Sequence, residues 1–383
     1  MKNLIIIFFC SFVVSLYLFE FYLNFSKDKK LTQKIKIYKK ITGNNYDTRN
    51  FYEVFQDLKM KDPKIVKGVL PVNFFGKSKE ILPLSGISNV KTLGCNENGY
   101  YVIFESDKYG FNNPDEEWQK DKNSKFLLVG DSFTEGACVN RPNDVGSVLR
   151  KKTKSSVLNL GHGGSGPLIH YAVLREYLKK GVRNIIWMYY EGNDLNDLAS
   201  ELKSPILNKY LENEKFSQNL VQNQEKINMI ARKILDQEIL SYQNKIEKDK
   251  KIKSKILKFI RLSKLKSSIF KEKKIVIDEV EEEIFIKMEQ ILKLSNRLAK
   301  QNNSNFYFVY LPEYNRYNTN YINESYGRIK KIVKDLEIPF IDIHEKIFIK
   351  EINPNKFFPF EMHGHYNIIG YDKVAKEIIN ATK

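Results

Sequence analysis

From about residue 121 onward, short apolar runs alternate with amphipathic stretches. KFLLVGDS, SVLNLGHGG, RNIIWMYYEGND, NFYFVYLPE and IPFIDIHEK each read as a buried strand that ends in a polar loop. Continuous apolar runs separated by helical pattern predict a parallel sheet covered on both faces by helices. In such a sheet ligands bind beyond the carboxyl ends of the strands, so these loops converge on one edge.

Two other regions have a different pattern. Between 201 and about 274 the alternation gives way to a Lys-rich insertion, including KIEKDKKIKSKILKFIRLSKLKSSIFKEKK, whose apolar residues recur at helical spacing. It predicts solvated helices, with a membrane-facing or glycan-facing role as the second reading. Residues 26–120 form a linker and a small β-rich lead-in, with turn signals at GVLPVNFFGKSKEILPLSGISN and a strand-like GYYVIFESDKYGFNNPDEEW. No internal repeat is present.

At the N-terminus, Leu4 to Phe19 carries no charge, and the apolar character resumes after Glu20 through Leu23. Residues 1–25 therefore predict a single membrane-spanning helix. A cleaved signal peptide is the alternative, but no small-x-small cleavage site follows. Orientation is ambiguous: Lys2 lies on one side, while Lys27, Lys29, Lys30, Lys34 and Lys36 crowd the other, against the positive-inside bias.

A chain of 383 residues with 42% hydrophobic and 13% aromatic content is globular. Its net charge of +17 comes mostly from Lys, which draws a protein toward anionic surfaces such as lipid head groups or acidic glycans. Arg clusters interleaved with aromatics are lacking, so nucleic acid is not expected as a partner. Of the three cysteines, Cys10 sits in the apolar run and leaves Cys95 and Cys138. An outward-facing domain would permit a disulfide between them, and two free thiols fit the sequence as well.

The loops carry the chemistry. In GDSFTEG, Ser132 stands where a strand turns into a helix, beside N–H groups that favour developing negative charge. Alone, the tripeptide is also what turn and cap chemistry selects. In NLGHGGSGP, Gly161, Gly163 and Gly166 have the spacing of a dinucleotide fingerprint, with Glu191 ending the next strand where a ribose contact is expected. Against that reading, the fingerprint normally follows the first strand of its domain. In YYEGNDLND, Asn193 could point amide donors into the same cleft. A nucleophile, a glycine N–H and an Asn amide from three consecutive strand ends are the parts of an oxyanion hole. The missing base is supplied by MHGHYNIIGY, on the loop after the fifth strand. His363 and His365 could chelate a metal only with a third ligand that the sequence does not supply. His162, His170 and His344 read as loop or partly buried residues.

With these four loops in this order, residues from about 125 to 382 resemble the SGNH, or GDSL-like, hydrolase superfamily. The resemblance implies a three-layer α/β/α, flavodoxin-like fold with a five-stranded parallel sheet. It makes Ser132 the nucleophile and one oxyanion donor, aligns Gly164 and Asn193 with the other two donors, and makes His365 the general base. No cofactor or metal is implied. One departure is that the family places an Asp two or three residues before the base, where this chain has His363 and Met362. Glu361 is the nearest carboxylate, one residue further back, and a Ser-His dyad oriented by a backbone carbonyl is the alternative. CNENGYY and DKYGFNNP also resemble segments found ahead of this domain in membrane-anchored bacterial members associated with surface polysaccharides. That likeness favours an extracytoplasmic domain and the Cys95–Cys138 disulfide. The expectation is a carbohydrate O-acyl esterase or O-acyltransferase acting on cell-envelope glycans. A non-catalytic glycan-binding module and a nucleotide-binding protein are the other two readings.

Overall fold

The computed structural model describes residues 2–25, 29–77, 80–119, 124–250, 252–269, 282–318, 321 and 323–383. The chain forms two compact units, one of Met1–Ile37 with Asp236–Glu279, the other of Tyr38–Leu235 with Val280–Lys383.

In the first unit, α1 (Lys2–Phe25) is long and apolar enough to cross a membrane, with a mean hydropathy of 2.4 over Lys2–Leu23. A membrane anchor and a signal sequence both have this form. Helix α2 (Lys29–Thr42) begins in this unit and ends in the other. The second unit opens with α3 (Phe51–Lys61), started by a capping box between Asn50 and Glu53. Three short strands follow: β1 (Val66–Lys67), β2 (Lys91–Leu93) and β3 (Ile103–Glu105). β1 pairs with β2 in parallel and β2 with β3 antiparallel, so the lead-in holds a small sheet as well as helices.

The principal sheet begins at β4 (Phe126–Val129). It is followed by α4 (Ser132–Glu135), α5 (Val145–Thr153), β5 (Val157–Asn159), α6 (Pro167–Tyr177), β6 (Asn184–Tyr190) and α7 (Asp194–Glu201). The predicted insertion is helical in its described part: α8 (Pro205–Glu212), α9 (Gln224–Lys250), α10 (Ile252–Ile260) and α11 (Ser263–Ile269). Its last residues, 270–274, lie outside the described ones. From residue 236 onward the insertion belongs to the first unit. There the buried Glu20 carboxylate of α1 accepts the N–H groups of Lys264 and Leu265 at 2.9 and 2.7 Å. The chain returns to the sheet through α12 (Glu282–Gln301), β7 (Asn305–Leu311), α13 (Glu324–Asp335), β8 (Phe340–Asp342), α14 (Ile343–Lys346) and α15 (Ile368–Ala381).

All five strands are parallel, in the order β5-β4-β6-β7-β8. Every residue of β4, β5 and β6 is buried. Successive side chains of a strand point to opposite faces, so unbroken burial means that both faces are covered. Helix α5 packs with α15, and α6 packs with α7 and α12. The five strands are the five apolar runs of the sequence. Their order is the doubly wound, flavodoxin-like one, which reverses direction at β4 and opens a crevice at that strand's carboxyl end.

Candidate active site

Ser132 stands at that crevice. Asp131 caps α4, its Oδ1 accepting the Phe133 N–H at 2.8 Å, and Gly136 closes the short helix with a φ of +81°. The turn is tight on its inner side: a Cβ at Gly130 would lie 2.0 Å from Thr134 Oγ1 and 2.7 Å from the Met188 carbonyl.

His365, the expected base, comes from the loop before α15. Asn367 caps that helix, its side chain accepting from Ile369 and Gly370, and the Tyr366 hydroxyl donates to the Pro312 carbonyl at 2.7 Å. Residue 365 is therefore held from its C-terminal side. His365 Nε2 lies 2.9 Å from Ser132 Oγ. The other ring nitrogen faces a carboxylate that sequence reasoning missed: Glu97 Oε1 is 3.1 Å from Nδ1, and Glu97 Oε2 accepts the His365 backbone N–H at 2.6 Å.

Glu361, the acid expected to reach back to His365, does not hold that place. It is exposed, its backbone carbonyl accepts from the Tyr314 hydroxyl, and it follows Phe360 in the left-handed region with φ values of +57° and +55°. His363, at the family's acid position, is exposed with its ring edge-on to Tyr314 at 5.8 Å. The carboxylate arrives instead from the lead-in, in the CNENGYY segment. The likeness of CNENGYY to segments ahead of such domains drew attention to this stretch but did not single out Glu97.

Burial by itself would depress the His365 pKa. The hydrogen bond and charge of Glu97, helped by Asp131 and Glu135, outweigh that and lift it above the ordinary 6.5. Asp131 is pushed up to about 7 by its own complete burial, against the Phe133 N–H and the nearby His365.

Cys95 and Cys138 form a disulfide, with a Cα–Cα distance of 5.1 Å. Cys138 Sγ lies 3.5 Å from His365 Nδ1. The two sulfurs and a His365 nitrogen thus fall within 4.8 Å of one another. A metal would need the thiolates, which the disulfide consumes, so the set does not fit a metal centre.

The glycine loop after β5 approaches Ser132. The Gly163 N–H donates to Glu135 Oε2 at 3.1 Å, and a Cβ there would come within 3.7 Å of Ser132 Cβ. Gly164 has a φ of +70°. Among the described residues, no acceptor takes the N–H of Ser132 or of Gly164. The buried Glu201 receives the N–H groups of Gly166, Leu168 and Ile169 at 2.5, 2.9 and 3.3 Å, fixing the start of α6. Asn193 ends the loop after β6, the strand beside β4, and its Nδ2 donates to Asp197 Oδ2 at 2.6 Å.

The glycine spacing that suggested a dinucleotide has a packing cause. A Cβ at Gly161 would lie 2.5 Å from Glu135 N, and one at Gly166 would lie 3.0 Å from Leu198 N. Glu191, the expected ribose acid, is buried and bonded to Arg316 Nε at 2.9 Å and to the Glu313 N–H at 3.1 Å. The remaining histidines are engaged elsewhere: His162 with the Val69 carbonyl, His170 with the Ser165 carbonyl and His344 with the Tyr317 hydroxyl.

No protein-family model and no curated protein matches the chain. Among the solved structures similar to it are the following three. One, from Desulfitobacterium hafniense DCB-2 and described as a lipolytic protein of the G-D-S-L family, shares 12% identity at a TM-score of 0.36, over 68% of this chain and 99% of that one. The Bacillus subtilis protein YXIM shares 10% identity at a TM-score of 0.35, over 68% of this chain and 56% of its own. The acetyl xylan esterase AlAXEase shares 13% identity at a TM-score of 0.35, over 67% of this chain and 98% of that one. Likeness at this distance carries no argument about activity, which rests on the residues above.

Proposed function

We propose that the protein is a serine ester hydrolase or O-acyltransferase in which Ser132, His365 and Glu97 form the catalytic triad. The unbroken chain of contacts from Glu97 through His365 to Ser132 carries this reading. His365 Nε2 takes the Ser132 proton as Oγ attacks the ester carbonyl, and Glu97 steadies the imidazolium that forms. The N–H groups of Ser132 and Gly164 and the Asn193 amide receive the oxyanion of the tetrahedral intermediate. His365 then returns the proton to the leaving alcohol. Water as the second acceptor gives hydrolysis, and a sugar hydroxyl gives acyl transfer.

The substrate class we favour is an O-acylated, specifically O-acetylated, carbohydrate of the cell envelope. Three features support it: a disulfide, which belongs to an oxidising compartment, an apolar N-terminal helix suited to anchoring, and a net charge of +17. A non-catalytic glycan-binding module drew its support from the missing acid before His365, and with Glu97 on Nδ1 that support is gone.

The test is labelling of the purified full chain with a fluorophosphonate. Covalent labelling that disappears in Ser132→Ala is expected; equal labelling of both proteins, or of neither, refutes the nucleophile.

A further inference from the structure

On each side of Glu97 one residue is tied to Cys138. Two positions upstream, Cys95 is bonded to Cys138 through the disulfide, and immediately downstream Asn98 donates its side-chain amide to the Cys138 carbonyl at 2.8 Å. Cys138 itself follows the nucleophile's own helix and has a φ of +64°, a conformation that a non-glycine residue holds at some cost. The segment between β2 and β3 that carries Glu97 has neither helix nor strand. Bonds from Gly94 to Val102 and from Val102 to Cys95 close its base. The Tyr38 ring covers Gly99, where an added Cβ would lie 2.4 Å from it. Asn96 ties the segment to the Asp47 carbonyl at 2.8 Å and accepts the Gly99 N–H at 3.0 Å, and Cys138 adds a restraint next to the base, its sulfur standing 3.5 Å from the same nitrogen that Glu97 faces.

We propose that the Cys95–Cys138 disulfide is a positioning element of the catalytic site: it holds the Glu97 carboxylate on His365, so the site is complete only in the oxidised protein. The proposal rests on the triad assigned above. The groups facing His365 are Ser132, Glu97, Cys138, Asp131 and Glu135, and only Glu97 and Cys138 would be released together.

A dithiol such as dithiothreitol would open the bridge. Its thiolate attacks the Sγ of Cys95, which is partly exposed whereas Cys138 is buried. The sulfur–sulfur bond breaks, Cys138 leaves as a thiolate and takes a proton, and the reagent's second thiol displaces Cys95. Two electrons and two protons pass to the protein, and the reagent becomes its cyclic disulfide. The Glu97 segment then keeps Asn98 as its single tie to Cys138, and the carboxylate spends less time on Nδ1.

The test compares the parent chain and Glu97→Gln, each oxidised and in dithiothreitol, in detergent solution. Two readouts are taken: the pH titration of His365 by NMR of 15N-labelled histidine, and the rate of fluorophosphonate labelling of Ser132. In the parent, reduction is expected to lower the His365 pKa and to slow labelling about tenfold or more. Oxidised Glu97→Gln should already show both changes, and reduction should alter it by less than about twofold, because the two perturbations act through one group. No effect of reduction on the parent, or an equal effect on both proteins, would overturn the proposal. So would unfolding of the reduced parent at the assay temperature, seen by circular dichroism, since the bridge would then hold the fold and not the carboxylate. His365 titrates without substrate, so a failure of Ser132 labelling in the oxidised parent sinks the hydrolase reading while the titration still decides this one.

Discussion

Glu97 grips His365 with both carboxylate oxygens, one on the imidazole at 3.1 Å and one on the backbone N–H of the same residue at 2.6 Å. The two residues are 268 positions apart. Such a grip fixes the ring's rotation and selects the tautomer that carries its proton on Nδ1, leaving Nε2 as an acceptor for the Ser132 hydroxyl.

Replacing Glu97 by Gln should therefore lower kcat/KM by about 10²- to 10⁴-fold with the fold intact. Glu361→Gln should change it by less than about twofold, since that side chain takes no part in the His365 contacts. Steady-state hydrolysis of an activated acetyl ester distinguishes the two variants, and a larger loss in Glu361→Gln would contradict the assignment.

The pH profile has a sign that follows from the same contact. In the proposed mechanism His365 acts as a base when neutral, so kcat/KM should rise with pH through a His365 pKa lying above 6.5. In Glu97→Gln, burial acts with less opposition and the rising limb should move to lower pH. Asp131, raised to about 7, ionises over the same range and should broaden the limb in the parent.

Asn193→Ala should cost about 10²–10³ in kcat with little change in KM, as expected for a donor that acts on the transition state. Gly164→Ala should cost activity by a different route. Its φ of +70° strains a side chain, and the new Cβ would meet Leu70 Cβ at 3.1 Å. Single-turnover kinetics should show the acylation step slowed in both.

Gly130→Ala tests the turn beneath the nucleophile. The added methyl cannot displace the Met188 carbonyl, 2.7 Å away in the central strand β6. A loss of about 1–3 kcal/mol in stability is expected. Urea unfolding should show a lower midpoint at an unchanged slope.

Much of this was readable from the sequence because buried parallel strands leave a plain mark. A run such as NIIWMYY has nowhere to stand but inside a sheet covered on both sides, and the polar loops that follow such runs fall on one edge. Ser132 was legible as the motif residue at the end of β4, and His365 stood out as a motif residue just ahead of a helix start. Glu97 was not, since no periodicity or local spacing announces a contact made across 268 residues. The expectation of an acid just before His365 was a local one, and at Phe360–Glu361 the backbone turns through the left-handed region. In the lead-in, the Asn50 and Glu53 capping box was a readable helix start within a stretch read only as linker and strands.

The order of these residues along the chain also bears on when the proposed site can form. During synthesis Glu97 and Ser132 emerge early, but His365 lies 233 residues beyond the serine and just ahead of the last helix. A nascent chain, or one truncated before residue 365, carries a serine with ordinary hydroxyl reactivity. On the proposed mechanism Ser132 gains its base only when the loop carrying His365 has docked beside it, so the reactive hydroxyl depends on a contact made late in folding.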